Sequence, residues 1–310
     1  MTSNSKIVVV VCGPTAVGKT AFAIHLAQHL QTEILSADSR QCYKELNIGV
    51  AKPSPGELAA VQHYFINSHS IHQQVNAGVF EQYGLQVLGQ IFSKSRYAVV
   101  VGGTGLHINA LCHGIDEMPQ TSAEIREALN QSYQQKGLDW LQAEVQKKDL
   151  AFWKVAEQQN PHRLLRALEV LQTSGKSITT YRQGKQANRP FSVFKVGLQL
   201  PRHELHQRIN TRVDQMIANG LEAEVKTLLA HQHLQALQTV GYKEIFDHLN
   251  GLQSREEAIE RIKINTRQYA KRQITWFKKD SAIHWFSPTL QVQEIDKLLM
   301  ATPAQGGRQP

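Results

Sequence analysis

The segment GPTAVGKT, residues 13–20, contains the residue types that hold a phosphate chain. It fits the P-loop pattern of glycine, four residues, glycine, lysine and a hydroxyl residue, between a strand-like run and a helical pattern. Two glycines allow the backbone N–H groups to surround a di- or triphosphate, the lysine adds positive charge, and the threonine hydroxyl is a ligand for Mg²⁺. The predicted phosphate site is Gly13, Pro14, Thr15, Ala16, Val17, Gly18, Lys19 and Thr20, with Thr20 as the metal ligand.

A carboxylate follows the second strand-like run, in ILSADSRQ at 34–41. Ligands of open parallel sheets bind beyond the carboxyl ends of the strands, so Asp38 should face the same crevice as the phosphate site. There it can act as a general base. It can equally be the N-cap of the turn that follows.

The third strand-like run ends in VVVGGTGLH at 99–107, where an ATPase usually carries an acid. Thr104 stands there between glycines, which let a planar group approach closely. A phosphate site with one base and no second acid favours transfer of a group to a bound nucleophile over activation of water. A nucleoside or small-metabolite kinase remains the alternative, because Asp38 could deprotonate an acceptor hydroxyl.

Valine-rich runs without alternation, at 7–12 and 98–101, are typical of strands buried on both faces of a parallel sheet. Helical patterns separate them, which predicts an α/β fold of the P-loop NTPase type, similar to nucleotide kinases. Capping box TSAE (121–124) and an apolar helix face after residue 161 predict an all-helical insertion. The expected ranges are 1–116 for the first part of the core, 117–190 for the insertion, 191–301 for the second part of the core, and 302–310 for a disordered tail.

A long basic helix is predicted from the capping box SREE (254–257) to about Lys279. Lys263, Arg267 and Lys271 recur every four residues and share one face, and aromatic rings lie among them. This composition is typical of a nucleic-acid surface, and also of a solvated helix.

Four arginines elsewhere in the chain have two interpretations each. Arg163 and Arg166 could bind phosphate or pair with Glu169, and Arg208 and Arg212 could reach a diphosphate or simply be surface residues. SGKS (174–177) lacks the first P-loop glycine and predicts a helix end and turn.

Composition narrows the class of protein. The net charge of +8 and pI of about 9.3 favour a polyanionic partner. Three separated cysteines argue against a disulfide framework or a zinc site and suit a reducing compartment. No apolar run is long enough for a signal peptide or a membrane span, so we expect a cytoplasmic protein without membrane contact.

Several segments together resemble one family, the tRNA dimethylallyltransferases. They are GPTAVGKT, SADSRQCYKELNIGVAKP, VGGTGLHINAL, PHRLLRALEVLQTSGKS, HQRINTRVDQMIANGLEAEV, TVGYKEI and TRQYAKRQITWF, in the family's order over about residues 7–286. The chain departs from the family at Val50, where threonine is common, and at 75–84, which is a loose match. Both departures concern the enclosure of the isoprenoid tail.

The resemblance implies a transferase that moves a dimethylallyl group from its diphosphate to N6 of the adenosine 3′ of the tRNA anticodon, with Mg²⁺ required. It implies that Asp38 is the base, Thr104 its partner and Arg212 a contact of the diphosphate. The implied partners are dimethylallyl diphosphate and the anticodon stem-loop of tRNA, bound by a monomer. The implied tRNA contacts are Asp38, Ser39, Arg40, Gln41, Thr104, Arg126, His162, Arg163, Leu164, Leu165, Arg166, Tyr242, Lys243, Lys271 and Arg272.

Overall fold

The computed structural model describes residues 5–184 and 186–301. The predicted tail at 302–310 lies outside these residues. The described residues within 114–187 form one compact unit, and the described residues before and after them form another. The predicted insertion, 117–190, falls in nearly the same part of the chain.

The larger unit is built on a six-stranded parallel sheet with the order β3-β2-β4-β1-β5-β6. This confirms the predicted P-loop α/β class, with the strand that precedes the phosphate motif near the centre. Two short edge strands, β3 and β6, were not among the predicted strands. The strands are β1 (Ile7–Cys12), β2 (Ile34–Ser36), β3 (His63–Tyr64), β4 (Tyr97–Gly102), β5 (Ser192–Leu198) and β6 (Ile283–Phe286).

Alternate residues of β1 enter two separate cores, one on each face of the sheet. Val8 and Val10 pack in one core with Leu88, while Val9 and Val11 pack in the other with Leu26. Burial on both faces explains why β1 is continuously apolar. The helices of the larger unit are α1 (Lys19–His29), α2 (Pro55–Ala60), α3 (Ala77–Phe92), α4 (Gly105–His113), α9 (Arg202–Ala218), α10 (Leu221–Thr227), α11 (Tyr242–Leu249), α12 (Arg255–Phe277) and α13 (Val292–Ala301).

The smaller unit is helical and has its own apolar core, which includes Leu141, Phe152 and Leu168. Ser122, rather than the predicted Thr121, caps its first helix, because the Ser122 side chain accepts a hydrogen bond from the Ile125 N–H. Gly175 ends its third helix in the left-handed conformation, as predicted for SGKS. The helices of this unit are α5 (Ala123–Lys148), α6 (Leu150–Trp153), α7 (Pro161–Ser174) and α8 (Ile178–Tyr181).

The three cysteines are free and buried. In the part of the chain that the structure describes, no helix is long and apolar enough to cross a membrane.

Candidate functional site

The phosphate motif forms the turn between β1 and α1. Gly13 has φ +140°, and a Cβ there would lie 2.5 Å from the carbonyl oxygen of Leu198 at the end of β5. Gly18 has φ +105°, a conformation that other residues rarely adopt. The two glycines therefore allow the loop to pass close to the sheet and turn into α1.

Lys19 folds back over this loop. Its Nζ donates a hydrogen bond to the carbonyl oxygen of Pro14 at 2.7 Å. Burial and the neighbouring charge of Arg212 lower the pKa of Lys19 to about 8, against an opposing effect of the Asp38 carboxylate. A buried ammonium group whose charge is incompletely compensated is suited to bind an anion.

Helix α9 supplies two guanidinium groups to the same loop. Arg212 donates to the Thr15 hydroxyl at 3.3 Å, and Arg208 donates to the Val17 carbonyl at 3.4 Å. Burial lowers the pKa of Arg212, and the Asp38 carboxylate opposes that shift. The structure therefore brings Arg212 next to the predicted phosphate site and within electrostatic reach of the predicted base.

The structure shows Asp38 in the capping role and leaves one of its oxygens for the predicted role as a base. Its Oδ1 accepts hydrogen bonds from the backbone N–H groups of Arg40 at 2.8 Å and Gln41 at 3.3 Å, so it caps the turn after β2. Within the described residues its Oδ2 has no hydrogen-bond partner. One oxygen therefore fixes the carboxylate, and the other is available to accept a proton.

Thr104 lies at the turn between β4 and α4, beside Asp38. Its Oγ1 accepts a hydrogen bond from the Ser39 N–H at 3.1 Å and lies 3.3 Å from the Ser39 hydroxyl. The turns after β2 and β4 are thus joined by side-chain contacts. A cavity of about 220 Å³ opens between these turns and the phosphate loop, and is lined by Lys19, Thr20, Asp38, Gln41, Val50, Arg212, Tyr269 and Gln273 among others.

The donor set of the cavity is compatible with Mg²⁺. Thr20, Ser36 and Asp38 bring oxygen atoms, which this ion prefers, into the lining. In the described parts of the chain, no group of three or more histidine, cysteine or acidic side chains could hold a metal ion alone. Mg²⁺ would therefore need oxygens from a bound phosphate as well.

Three of the predicted RNA contacts have buried side chains, which does not favour a direct contact with RNA. Leu164 and Leu165 point into the core of the smaller unit, with exposures of 0% and 7%. Tyr242 is fully buried, and its hydroxyl donates to Glu224. The helix after residue 161 was predicted, whereas the helix that begins at Tyr242 was not, and a motif alone does not separate inward-facing residues from outward-facing ones.

Three predicted arginine contacts already have carboxylate partners. Arg126 and Arg166 both reach Glu169, at 3.6 and 2.9 Å, so the pairing alternative holds for Arg166. Arg163 pairs with Glu157 at the surface, at 3.1 Å. His162 and Lys243, by contrast, are exposed.

The cations of the basic helix α12 lie on two sides of the helix, one that contacts α9 and one that is exposed. Lys263 pairs with Asp214 at 2.9 Å and Arg267 donates to Asn210 at 2.8 Å, so these two hold α9 in place. The predicted RNA face is thereby reduced to the outer residues, which are exposed. They are Lys271, Arg272 and Trp276, while the partly exposed Tyr269 also lines the cavity.

Gln273, which is absent from the predicted site, lies on the inner side of α12. It is 6% exposed, and it contacts the phosphate loop and the turn after β4. A glutamine within a basic helix has no distinctive spacing, so its role depends on long-range packing. The only sequence signal is that it follows two cations on a helix that also has an apolar side.

Comparisons with known proteins agree with this geometry. The family model described as IPP transferase matches residues 41–280. A tRNA dimethylallyltransferase of Cytophaga hutchinsonii is 46% identical over 97% of this chain and 99% of its own, and tRNA dimethylallyltransferase 1 of Bacteroides thetaiotaomicron is 41% identical over 94% of each. A crystal structure of a tRNA isopentenylpyrophosphate transferase from Bacillus halodurans is 32% identical, has a TM-score of 0.70 and is matched over 96% of both chains. By these matches, the chain belongs to the IPP transferase family.

Proposed function

We propose that this protein transfers a dimethylallyl group from dimethylallyl diphosphate to N6 of the adenosine immediately 3′ of the anticodon in tRNA, and releases diphosphate. The observation that carries the proposal is the cavity lined by Lys19, Arg212 and Asp38, beside which Thr104 accepts a hydrogen bond from the residue after Asp38. Cations at one side suit a leaving diphosphate. A carboxylate with an unused oxygen at the other side suits a proton-bearing nucleophile.

The chemistry of the acceptor explains why cations dominate this site. An exocyclic adenine amine is a poor nucleophile, because its lone pair is delocalised into the ring. The departure of diphosphate must therefore be strongly assisted, by Lys19, Arg212 and the N–H groups of the phosphate loop. An allylic carbon tolerates positive charge, so cleavage of its bond to oxygen can run ahead of attack.

Asp38 completes the exchange. The bond from the allylic carbon to the diphosphate oxygen breaks, the bond from that carbon to N6 forms, and Asp38 Oδ2 accepts the N6 proton. No water is activated, which is consistent with Thr104 in place of an acid after β4. Bound Mg²⁺, held by Thr20 together with diphosphate oxygens, would neutralise charge on the leaving group.

The acceptor adenosine must leave its base stack to enter the cavity. Outside the cavity, the exposed Trp276 ring and the cations Lys271 and Arg272 provide stacking and phosphate contacts, and the partly exposed Tyr269 ring lies at the cavity itself. We infer that tRNA approaches this side of α12.

The location and the oligomeric state are part of the same proposal. The buried free cysteines and the tRNA substrate support a cytoplasmic enzyme. One chain carries both the residues proposed to bind the diphosphate and those proposed to receive the adenosine, which supports action as a monomer.

Two labelled donors separate this proposal from the kinase alternative, which the family membership does not support. Purified protein is incubated with unmodified tRNA and Mg²⁺, with either dimethylallyl diphosphate labelled in the isoprenoid or ATP labelled in the γ-phosphate. We expect label in tRNA only from the isoprenoid. Phosphate transfer from ATP, with no isoprenoid entering tRNA, would overturn the proposal.

A further inference from the structure

Gln273 is a buried amide that the proposed chemistry does not use. Its Oε1 accepts a hydrogen bond from the Thr15 backbone N–H at 2.8 Å, and its Nε2 donates to the Gly103 carbonyl at 2.9 Å. Both ends of the side chain are therefore engaged, and both partners are main-chain groups. One side chain of α12 joins the loop after β1 to the turn after β4.

These two segments belong to opposite sides of the proposed reaction. Thr15 lies in the loop that would hold the diphosphate and also receives Arg212 through its hydroxyl. Gly103 directly precedes Thr104, which holds the Ser39 N–H beside Asp38. A link between Thr15 and Gly103 therefore fixes the spacing between the leaving group and the groups that receive the acceptor.

The fit between this amide and the turn is close. A Cβ added at Gly103 would lie 2.1 Å from Gln273 Nε2, so glycine permits the approach. Gln273 also lines the same cavity as Lys19 and Asp38, yet its amide groups are turned to the backbone. It thus acts through its neighbours.

We propose that Gln273 is a positioning residue that sets the distance between the diphosphate loop and the acceptor side of the cavity. The proposal rests on the proposed function, since it concerns the alignment of that reaction. Misplacement of reacting groups by about 1 Å costs about 100-fold in rate. The effect should therefore fall on kcat, while each substrate still binds.

The first test uses Gln273→Met, which keeps the length of the side chain and removes both hydrogen bonds. We expect kcat to fall by about 10- to 100-fold, with KM for dimethylallyl diphosphate and for tRNA changed by less than about threefold. The matched control is Gln268→Met, an exposed glutamine on the same helix. Its kcat should stay within about twofold of wild type.

The second test uses Gln273→Glu and gives a signature that simple packing would not produce. A protonated carboxyl can still accept from Thr15 and donate to the Gly103 carbonyl, whereas an ionised one places negative charge against that carbonyl. The ratio of its kcat to that of wild type should therefore rise as pH falls. The other charged and titratable groups that line the cavity are the same in both proteins, which is why the ratio of kcat values is used; they are Lys19, Asp38, Glu57, His63, Arg212 and Tyr269.

Wild-type turnover in the same assay separates the positioning role from the proposed function. If wild type does not turn over, the proposed function itself is overturned. If wild type is active and Gln273→Met is folded, an unchanged kcat of the variant would overturn the positioning role. A variant in which only KM rises would overturn it as well. Thermal unfolding checks that the variants are folded. If Gln273→Met does not fold, a flat pH ratio for Gln273→Glu would overturn the proposal, and a ratio that rises at low pH would support it.

Discussion

Thr104 Oγ1 accepts a hydrogen bond from the Ser39 backbone N–H at 3.1 Å, so the turn after β4 holds the turn after β2. Asp38 directly precedes Ser39. The position of the proposed base therefore depends on a hydroxyl that belongs to another strand. This dependence would be hard to see from either segment alone.

Replacement of this hydroxyl should reduce turnover. Thr104→Val keeps the shape of the side chain but cannot accept from Ser39, so a partly buried N–H loses its partner. We expect kcat to fall by about tenfold or more, which corresponds to about 1.4 kcal/mol. Steady-state kinetics with Thr104→Ser, which retains the hydroxyl, provide the control. Equal kcat values for both variants would contradict the role assigned to the hydroxyl.

Asp38→Asn separates the two roles of the carboxylate. The amide oxygen can still accept from the N–H groups of Arg40 and Gln41, but the side chain no longer accepts the N6 proton. We expect kcat to fall by about 100- to 10,000-fold with little change in Tm. Asp38→Ala should lose about 1 kcal/mol of stability as well, because the cap is lost. Near-normal turnover of Asp38→Asn would remove Asp38 from the mechanism.

The contrast between Asp38 and Gln273 indicates how far sequence reasoning extends at this site. The phosphate loop, Asp38 and Thr104 follow predicted strands, and parallel topology places strand ends together, so their meeting is predictable. Gln273 reaches the site from a helix more than 150 residues after Gly103 in the chain, by packing that no local pattern records. The burial of the Tyr242 side chain likewise depends on packing that its motif does not record.

The buried ammonium of Lys19 links stability to function. Its pKa is lowered to about 8 in the folded protein, so below that pH folding buries an uncompensated charge. Between about pH 8 and the higher pKa of the unfolded chain, the unfolded state binds more protons and stability rises with pH. At pH 7 without donor, Lys19→Met should have a Tm equal to or above that of wild type. It should also raise KM for the donor by more than about 100-fold.

Wild type provides a second readout of the same group. As Lys19 loses its proton above about pH 8, KM for dimethylallyl diphosphate should rise, while the Lys19→Met variant should show no such inflection. Donor KM measured from pH 6.5 to 9.5 checks this. A clearly lower Tm for Lys19→Met at pH 7, or a KM that falls at alkaline pH, would contradict the electrostatic account.

The outer face of α12 should contribute to tRNA affinity through charge. Lys271→Gln and Arg272→Gln should each weaken tRNA binding, and each should reduce the slope of log K against log salt by about one. Filter binding over a range of salt concentrations measures both. Lys226→Gln, at an exposed position of α10, removes the same charge elsewhere and should leave the slope unchanged. If all three variants changed the affinity and the salt slope equally, the net charge of the protein would explain the effect, and the outer face of α12 would not.

Tyr242 should act on stability, because its hydroxyl is bound to Glu224. The same carboxylate accepts from the N–H groups of Ile48 and Gly49, at 2.8 and 3.2 Å. Tyr242→Phe should therefore lower the free energy of unfolding by about 1 kcal/mol, with an unchanged Kd for tRNA. Denaturant unfolding and filter binding test the two statements separately. A tenfold loss of tRNA affinity at unchanged stability would restore Tyr242 as an RNA contact.

The central claim is that this protein installs the dimethylallyl group on the adenosine next to the anticodon. Mass spectrometry of tRNA nucleosides and of anticodon fragments, from a strain without the gene, tests it most directly. We predict that N6-dimethylallyladenosine and its derivatives disappear in that strain, return with the wild-type gene, and do not return with Asp38→Asn. Full modification in the absence of the gene would contradict the account.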